Sequence, residues 1–440
     1  MTSPLRLGVA GLGTVGVGVA NIVAKHRDLL SSRSGRAVEI SAVTARDRAR
    51  DRGIDLSGAE WIATPQDLAV SDKIDVFVEL MGGEDDPAKS SVEAALRAGK
   101  HVVTANKALL AMHGNGLARL AEDNGVALNY EAAVAGGIPI VKTMRESAAA
   151  NRVARVFGIM NGTCNFILTK MRNEERDFGD VLKEAQDLGY AEADPSFDIG
   201  GFDAAHKLAI LTSLAFGCEI DFSAIYVEGI EEIVLQDIKA ASDLGYKIKL
   251  LGVAVETEDG IEQRVHPTLV PKGSNIAEVD GVFNAVGLEG DFVGNLMLNG
   301  AGAGAGPTAS AVMADVVDIA RGNIVPPLGL PTSQLKPYRK AQMRAHEGGY
   351  YIALELFDQP GEVAAVAQCM ADLGISLESI MQHTSYAAGG PAGRETAPFI
   401  IITHDTLERD VRAALRKIEE GGHLASTPRM IRIERFLGSE

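Results

Sequence analysis

At 440 residues the chain is long for a single hydrophobic core, so two or three domains are expected. Its 46% hydrophobic and 23% charged content is that of a globular protein, no apolar run approaches the roughly 18 residues of a membrane span, and the N-terminus enters a strand instead of a signal peptide, which excludes a membrane partner and predicts a cytoplasmic location. A formal charge of −17 excludes nucleic acid, whose phosphates would be repelled, and the three scattered cysteines, Cys164, Cys218 and Cys369, read as reduced thiols with neither zinc spacing nor a disulfide framework.

Leu5 to Ala10 reads as a short apolar strand running into Gly11-Leu12-Gly13-Thr14-Val15-Gly16, with Val17 to Leu30 as the helix behind it. Strand, glycine turn and helix in that order are the context a dinucleotide fingerprint requires. The glycines let backbone approach a pyrophosphate, and the helix N-terminus offers it N–H donors. The next strand, Val38 to Val43, is expected to end beside the adenosine ribose, where an acidic residue selects NAD. Here Arg46 and Arg48 flank Asp47, a pattern suited to a 2′-phosphate, so NADP is predicted to be preferred, with NAD possible. Strands at Ile74 to Leu80 and His101 to Thr104, with a helix from Ala88 to Ala98 between them, continue a parallel sheet. The last of them delivers Thr104-Ala105-Asn106-Lys107 to the ligand-binding edge of that sheet.

A strand from Val126 to Tyr130 precedes Glu131-Ala-Ala-Val134-Ala-Gly136-Gly-Ile138-Pro-Ile, which by its residues is a non-helical interdomain turn. Val153 to Met160 is a strand, and Asn161 to Leu168 a polar turn entering a helix. Cys164 in that turn has no His–Asp neighbours and reads as a small buried thiol. Between Asp187 and Lys207 five carboxylates, Asp187, Glu192, Asp194, Asp198 and Asp203, crowd a segment broken by Asp-Pro and Gly-Gly. After Gly201 the pattern turns helical, so Asp203 and Lys207, four apart, share one face at the start of an apolar helix. A lysine there is a poor choice for stability alone. The helix dipole disfavours its charge and is expected to ease release of its proton, which points to a proton donor.

The run A-(x)3-G-Y-A-E-A-D-P-(x)2-D-I-x-G-x-D-(x)3-K, Ala185 to Lys207, resembles the signature of homoserine dehydrogenases at each of its fixed positions. The resemblance implies interconversion of L-homoserine and L-aspartate 4-semialdehyde with a nicotinamide cofactor. It implies Lys207 as first choice for proton donor and Lys107 for polarising the carbonyl, with Glu192, Asp198 and Asp203 on the substrate and Asp203 and Glu192 holding its ammonium. It also implies contact of Thr104, Lys107 and Gly189 with the cofactor, and a monovalent cation, typically Na+, held by the Glu131 carboxylate and the backbone oxygens of Val134, Gly136 and Ile138. Two other readings remain open: a catalytically silent amino-acid sensor on a dehydrogenase scaffold, and a dehydrogenase of a related amino-acid semialdehyde.

From Ala224 to Leu298 a helix, Ile233 to Ala241, alternates with strands such as Ile248 to Glu256 and Gln263 to Val270, an α+β pattern whose open sheet suits a subunit interface in a homodimer or homotetramer. A glycine-rich turn then leads into a helix, Thr308 to Ala320, expected to return to the first domain. The resemblance places its Gly302 and Gly304 near the cofactor. Residues 323–345 have the proline-rich, polar character of a linker. Beyond them strands and helices follow as β-α-β-β-α-β, a ferredoxin-like order, and Asp358-Gln-Pro-Gly361 is similar to the turn of ACT regulatory domains. That resemblance implies an amino-acid effector, threonine, near Asp358, Gly361 and Ile375. The expected class is therefore α/β: a Rossmann-type dinucleotide-binding domain over 1–130 completed by 305–322, an α+β substrate and dimerisation domain over 131–304, and an ACT unit over 346–440.

Overall fold

Six short apolar strands, flanked by helices in the chain, pair as one parallel sheet in the order Glu60–Trp61, Val38–Thr44, Leu5–Ala10, Val76–Glu79, His101–Thr104, Leu128–Asn129. The order reverses between Leu5–Ala10 and Val76–Glu79, the switch point at which such sheets open a crevice for ligands. The computed structural model describes residues 3–341, 347–382 and 395–435; parts of the predicted linker (342–345) and of the predicted C-terminal unit (346, 383–394 and 436–440) lie outside the described residues. The single helix expected from Val17 to Leu30 is two, Thr14–Lys25 and Arg27–Ser34, because His26 leaves helical geometry at φ −115° and ψ 26°.

The helix Ala305–Arg321 packs across Thr14–Lys25, and its Ala309, Val312 and Val316 share a core with Leu7, Val9 and Val78. The crossing is close because Gly18 carries no side chain: a Cβ there would meet the Ala305 carbonyl oxygen at 2.7 Å.

A second sheet of eleven strands begins with Gly294–Ala301, Phe283–Gly290, Val153–Ile159, Tyr246–Thr257 and Gly260–Pro271, antiparallel throughout. It does not stop there. Gly260–Pro271 pairs in parallel with Arg429–Ile433, and the sheet continues through Glu347–Phe357, Thr396–Thr403 and Leu377–Gln382. These last four strands stand in the spatial order fourth, first, third, second of a β-α-β-β-α-β unit, the ferredoxin-like arrangement. The predicted open sheet is therefore closed at this edge by the C-terminal unit.

Buried charge seals the seam. Arg432 donates to Glu408 at 2.9 Å, Arg264 pairs with Glu262 and Glu434, and Asp237 accepts from Arg429 at 2.9 Å and from the Tyr351 hydroxyl at 3.0 Å. The segment before the seam is no free linker over its described part. Leu328 is buried, the Pro327 carbonyl accepts from the Tyr130 hydroxyl, Thr332 donates to Glu122, and Lys336 and Lys340 form bridges to Cys218 and Ile261. Its backbone and side chains find partners on the body of the protein, which makes it a strap.

Candidate active site

A cavity of about 630 Å³ is lined from both sheets. Val15, Leu80, Gly82 and Lys107 reach it from the first domain, and Asn161, Asp198, Asp203 and Lys207 from the second. Gly201, at φ +87°, ends the acidic loop and starts the helix Phe202–Phe216, whose second turn carries Lys207. The Lys207 ammonium donates to Asp203 Oδ2 and to the Met160 carbonyl, both at 2.7 Å, so its direction is fixed. Lys107, the first residue of the helix Lys107–Asp123 capped by Asn106, stands 3.1 Å from Asp203 Oδ1. A third of the Lys107 side chain stays exposed against a tenth of Lys207's, so the second lysine is the enclosed one.

Asp203 is clamped between two cations. Burial alone would push its carboxyl up, but the Lys207 and Lys107 ammoniums, with hydrogen bonds from Lys207 and Asn161, outweigh that and hold it well below the ordinary carboxylate range. The same attraction raises Lys107 above an ordinary lysine against the opposing effect of burial. Asp203, expected to grip the substrate's ammonium, lines the cavity, where its Oδ2 accepts from Lys207 and Asn161 and its Oδ1 faces Lys107. Its place is inside the lysine cluster.

Asp198 lines the cavity, its carboxyl raised by burial and by the neighbouring Asp203. Asn161 had no prior signal beyond its place before a helix. Its Nδ2 donates to Asp198 and Asp203, both at 2.9 Å, while its Oδ1 caps Cys164 N–H at 2.8 Å. Cys164 is a buried thiol raised by desolvation, its sulfur on the Asp198 carbonyl. Glu192 is exposed on the adjoining loop and does not line the cavity, though its charge contributes to raising Lys107. Gly189 and Tyr190 do line it.

Of the glycine-turn residues only Val15 reaches the cavity; Gly11, Gly13, Thr14 and Gly16 shape the turn behind it. Gly11 sits at φ +104°, where a Cβ would lie 2.5 Å from the Leu80 carbonyl oxygen, so no other residue fits. Thr104 does not touch the cavity. Fully buried, it donates to Glu79 Oε2 at 2.6 Å and accepts from Asn106 N–H, which corrects its expected contact with the cofactor to one of bracing. Glu79 also accepts from Met81 and Gly82 N–H and shapes the turn that lines the crevice. A carboxylate ending an apolar strand was the overlooked signal. Arg46 and Arg48 are exposed beyond the second strand, with Arg48 over the Trp61 ring at 5.5 Å. Asp47 Oδ1 accepts from Ala49 and Arg50 N–H.

The turn after Glu131 is more than a connector. Ala135 and Gly136 both have φ +54°, and a Cβ on Gly136 would lie 2.4 Å from the Gly302 carbonyl oxygen, so the two glycine turns are pressed together at the cavity. Glu131 accepts from Val141 and Lys142 N–H, and burial with Asp315 beside it pushes its carboxyl up to about 7. The carbonyls of Val134 and Gly136 accept no backbone hydrogen bond among the described residues, and that of Ile138 accepts from Ile140. Gly302 and Gly304 also line the cavity. In the C-terminal unit Asp358 and Gly361 are exposed at the strand-to-helix turn, and Ile375 is packed in that unit's core. No helix among the described residues is long and apolar enough to cross a membrane.

Family models described as homoserine dehydrogenase and as homoserine dehydrogenase, NAD binding domain, match residues 139–317 and 11–131. A homoserine dehydrogenase of Neisseria gonorrhoeae is 45% identical over 437 residues, 98% of this chain and 99% of that one. The crystal structure of a homoserine dehydrogenase from Thiobacillus denitrificans aligns at a TM-score of 0.91 and 44% identity over 98% of each chain. A hyperthermophilic archaeal homoserine dehydrogenase in complex with NADPH aligns at a TM-score of 0.63 and 26% identity over 74% of this chain and all of its own.

Proposed function

The chain belongs to the homoserine dehydrogenase family, and from that premise we propose that its cavity reduces L-aspartate 4-semialdehyde to L-homoserine, and the reverse, with NADPH as the preferred cofactor. The observation that carries the mechanism is the Lys107–Asp203–Lys207 cluster in a cavity shared with both glycine turns. The nicotinamide, when bound, supplies the hydride to the aldehyde carbon. Lys207, aimed by Asp203 and the Met160 carbonyl, gives its proton to the oxygen, completing the alcohol. Lys107 draws electron density onto that oxygen, and of the carboxylates expected to receive the substrate's ammonium, Asp198 and Asp203 line the cavity. Homoserine-dependent reduction of NADP+, followed by absorbance and run against close homologues of homoserine, tests this. No turnover would favour the silent sensor, and a better homologue the related semialdehyde.

For the 2′-phosphate, the support is Arg46 and Arg48, both exposed, flanking Asp47 beyond the second strand. The double variant Arg46→Ala, Arg48→Ala is expected to lose about 10- to 100-fold in kcat/KM for NADP while sparing NAD, as removal of charge-assisted hydrogen bonds predicts. Equal losses with both cofactors would sink the assignment.

A monovalent cation such as Na+ suits the turn after Glu131, where a buried carboxylate adjoins the Val134 and Gly136 carbonyls, which accept no backbone hydrogen bond among the described residues. Glu131 and the oxygens of Val134, Gly136 and Ile138 would hold it. Replacing sodium by choline at constant ionic strength is expected to lower the melting temperature; coincident melts would remove the ion.

Threonine is the proposed effector of the C-terminal unit, near Asp358, Gly361 and Ile375. The support is the ferredoxin-like strand order and the seam that ties this unit to the substrate domain. Activity is expected to fall across a threonine titration, with binding heat. A flat response in both would discard the effector.

A further inference from the structure

Asn284 takes no part in the chemistry above, yet it lines the cavity at only 1% exposure. Its Oδ1 is buried and has no hydrogen-bond partner among the described residues. A buried carbonyl oxygen without a donor is unfavourable, so an orphan in the wall of a ligand cavity marks a place where the ligand supplies the donor. The residue's backbone is fixed. It lies in the strand Phe283–Gly290, held between Val153–Ile159 and Gly294–Ala301 and paired with Gly300.

Its amide lies against two glycines. A Cβ at Gly302 would fall 2.1 Å from Asn284 Cγ and 2.4 Å from Oδ1, and one at Gly162 would fall 3.5 Å from Oδ1. Any side chain at Gly302 would therefore take the space of the amide, so the glycine keeps the amide in place in the cavity wall.

Two occupants of this cavity could offer a donor. The substrate's ammonium is a cation, and the cavity already provides the Asp198 carboxylate for it. The nicotinamide carboxamide is neutral and carries its own N–H2, the complement of an unpaired amide oxygen. We propose that Asn284 binds the nicotinamide carboxamide through this oxygen and so sets which edge of the ring meets the lysine cluster. The assignment rests on the nicotinamide-dependent reading of the cavity.

The test compares NADP+ with its 3-acetylpyridine analogue, in which a methyl group replaces the carboxamide N–H2. Binding is measured by calorimetry without substrate, on the full-length wild type and on Asn284→Ala and Asn284→Asp. The wild type is expected to bind NADP+ about 10-fold more tightly than the analogue, the value of one hydrogen bond to a buried acceptor. Asn284→Ala is expected to bind the two alike, and Asn284→Asp, which keeps an acceptor, to restore the preference. If Asn284→Ala does not fold, the wild-type and Asn284→Asp preferences still decide. A wild type that does not discriminate, or an Asn284→Ala that discriminates as the wild type does, overturns the proposal. So does a variant in which only KM for homoserine rises. Failure of the wild type to bind either dinucleotide would be a different result, removing the nicotinamide reading itself.

Discussion

Lys207→Ala is expected to lower kcat by roughly 10²- to 10⁴-fold, the contribution of a positioned general acid, with NADPH affinity unchanged. The reason is geometric. The Lys207 ammonium is fixed by two acceptors at 2.7 Å and sits behind a side chain only a tenth exposed, so water has little access to replace it. Lys107→Ala removes a more exposed charge from the other oxygen of the same carboxylate and is expected to cost less in kcat. Single-turnover reduction of the semialdehyde by pre-bound NADPH measures the chemical step directly. A Lys207→Ala enzyme with wild-type turnover would end the proton-donor assignment.

Asp203→Asn is expected to lower stability by about 3–5 kcal/mol, because it leaves two adjacent ammoniums without their buried counter-charge. The pH dependence follows from the shifts. Asp203, depressed below its ordinary 3.8, contributes stability that is fully present above 3.8 and lost only as pH falls through the depressed value. Lys107, raised above its ordinary 10.5, contributes stability that is fully present below 10.5 and lost as pH rises through the raised value. Between those limits the gap between wild type and variant is expected to stay constant. Denaturant unfolding at several pH values measures it, and a gap that vanished near neutrality would show that the cluster does not bear on stability.

How much of this was legible in the chain depends on how local each feature is. The glycine turn after Leu5–Ala10 and the pairing of Asp203 with Lys207 were legible because each is decided within a few residues, by backbone freedom in one case and helical spacing in the other. That Lys107 meets the same carboxylate follows only from the fold; in the sequence only its place in the site was expected, and that by resemblance. Nothing local reveals that three side chains meet the Asp203 oxygens. For Asn161, Glu79 and Asn284 the local pattern does not name a partner. Each is a polar residue at or near the end of an apolar strand, and its partner, or the lack of one, is set by distant segments. The parallel pairing of Gly260–Pro271 with Arg429–Ile433 was hidden for the same reason: a strand's residues announce an extended backbone but not the neighbour it adopts.

A sheet that runs unbroken through two units has no joint in it. Gly201, the pivot from which the helix bearing Lys207 departs, packs against Val265 and Val227. Val265 belongs to the strand that Arg429–Ile433 joins, while the Ile230 N–H reaches back to the Ile199 carbonyl of the acidic loop. The C-terminal unit and the helix that carries Lys207 are therefore joined through one shared strand, Gly260–Pro271, with no loop between them.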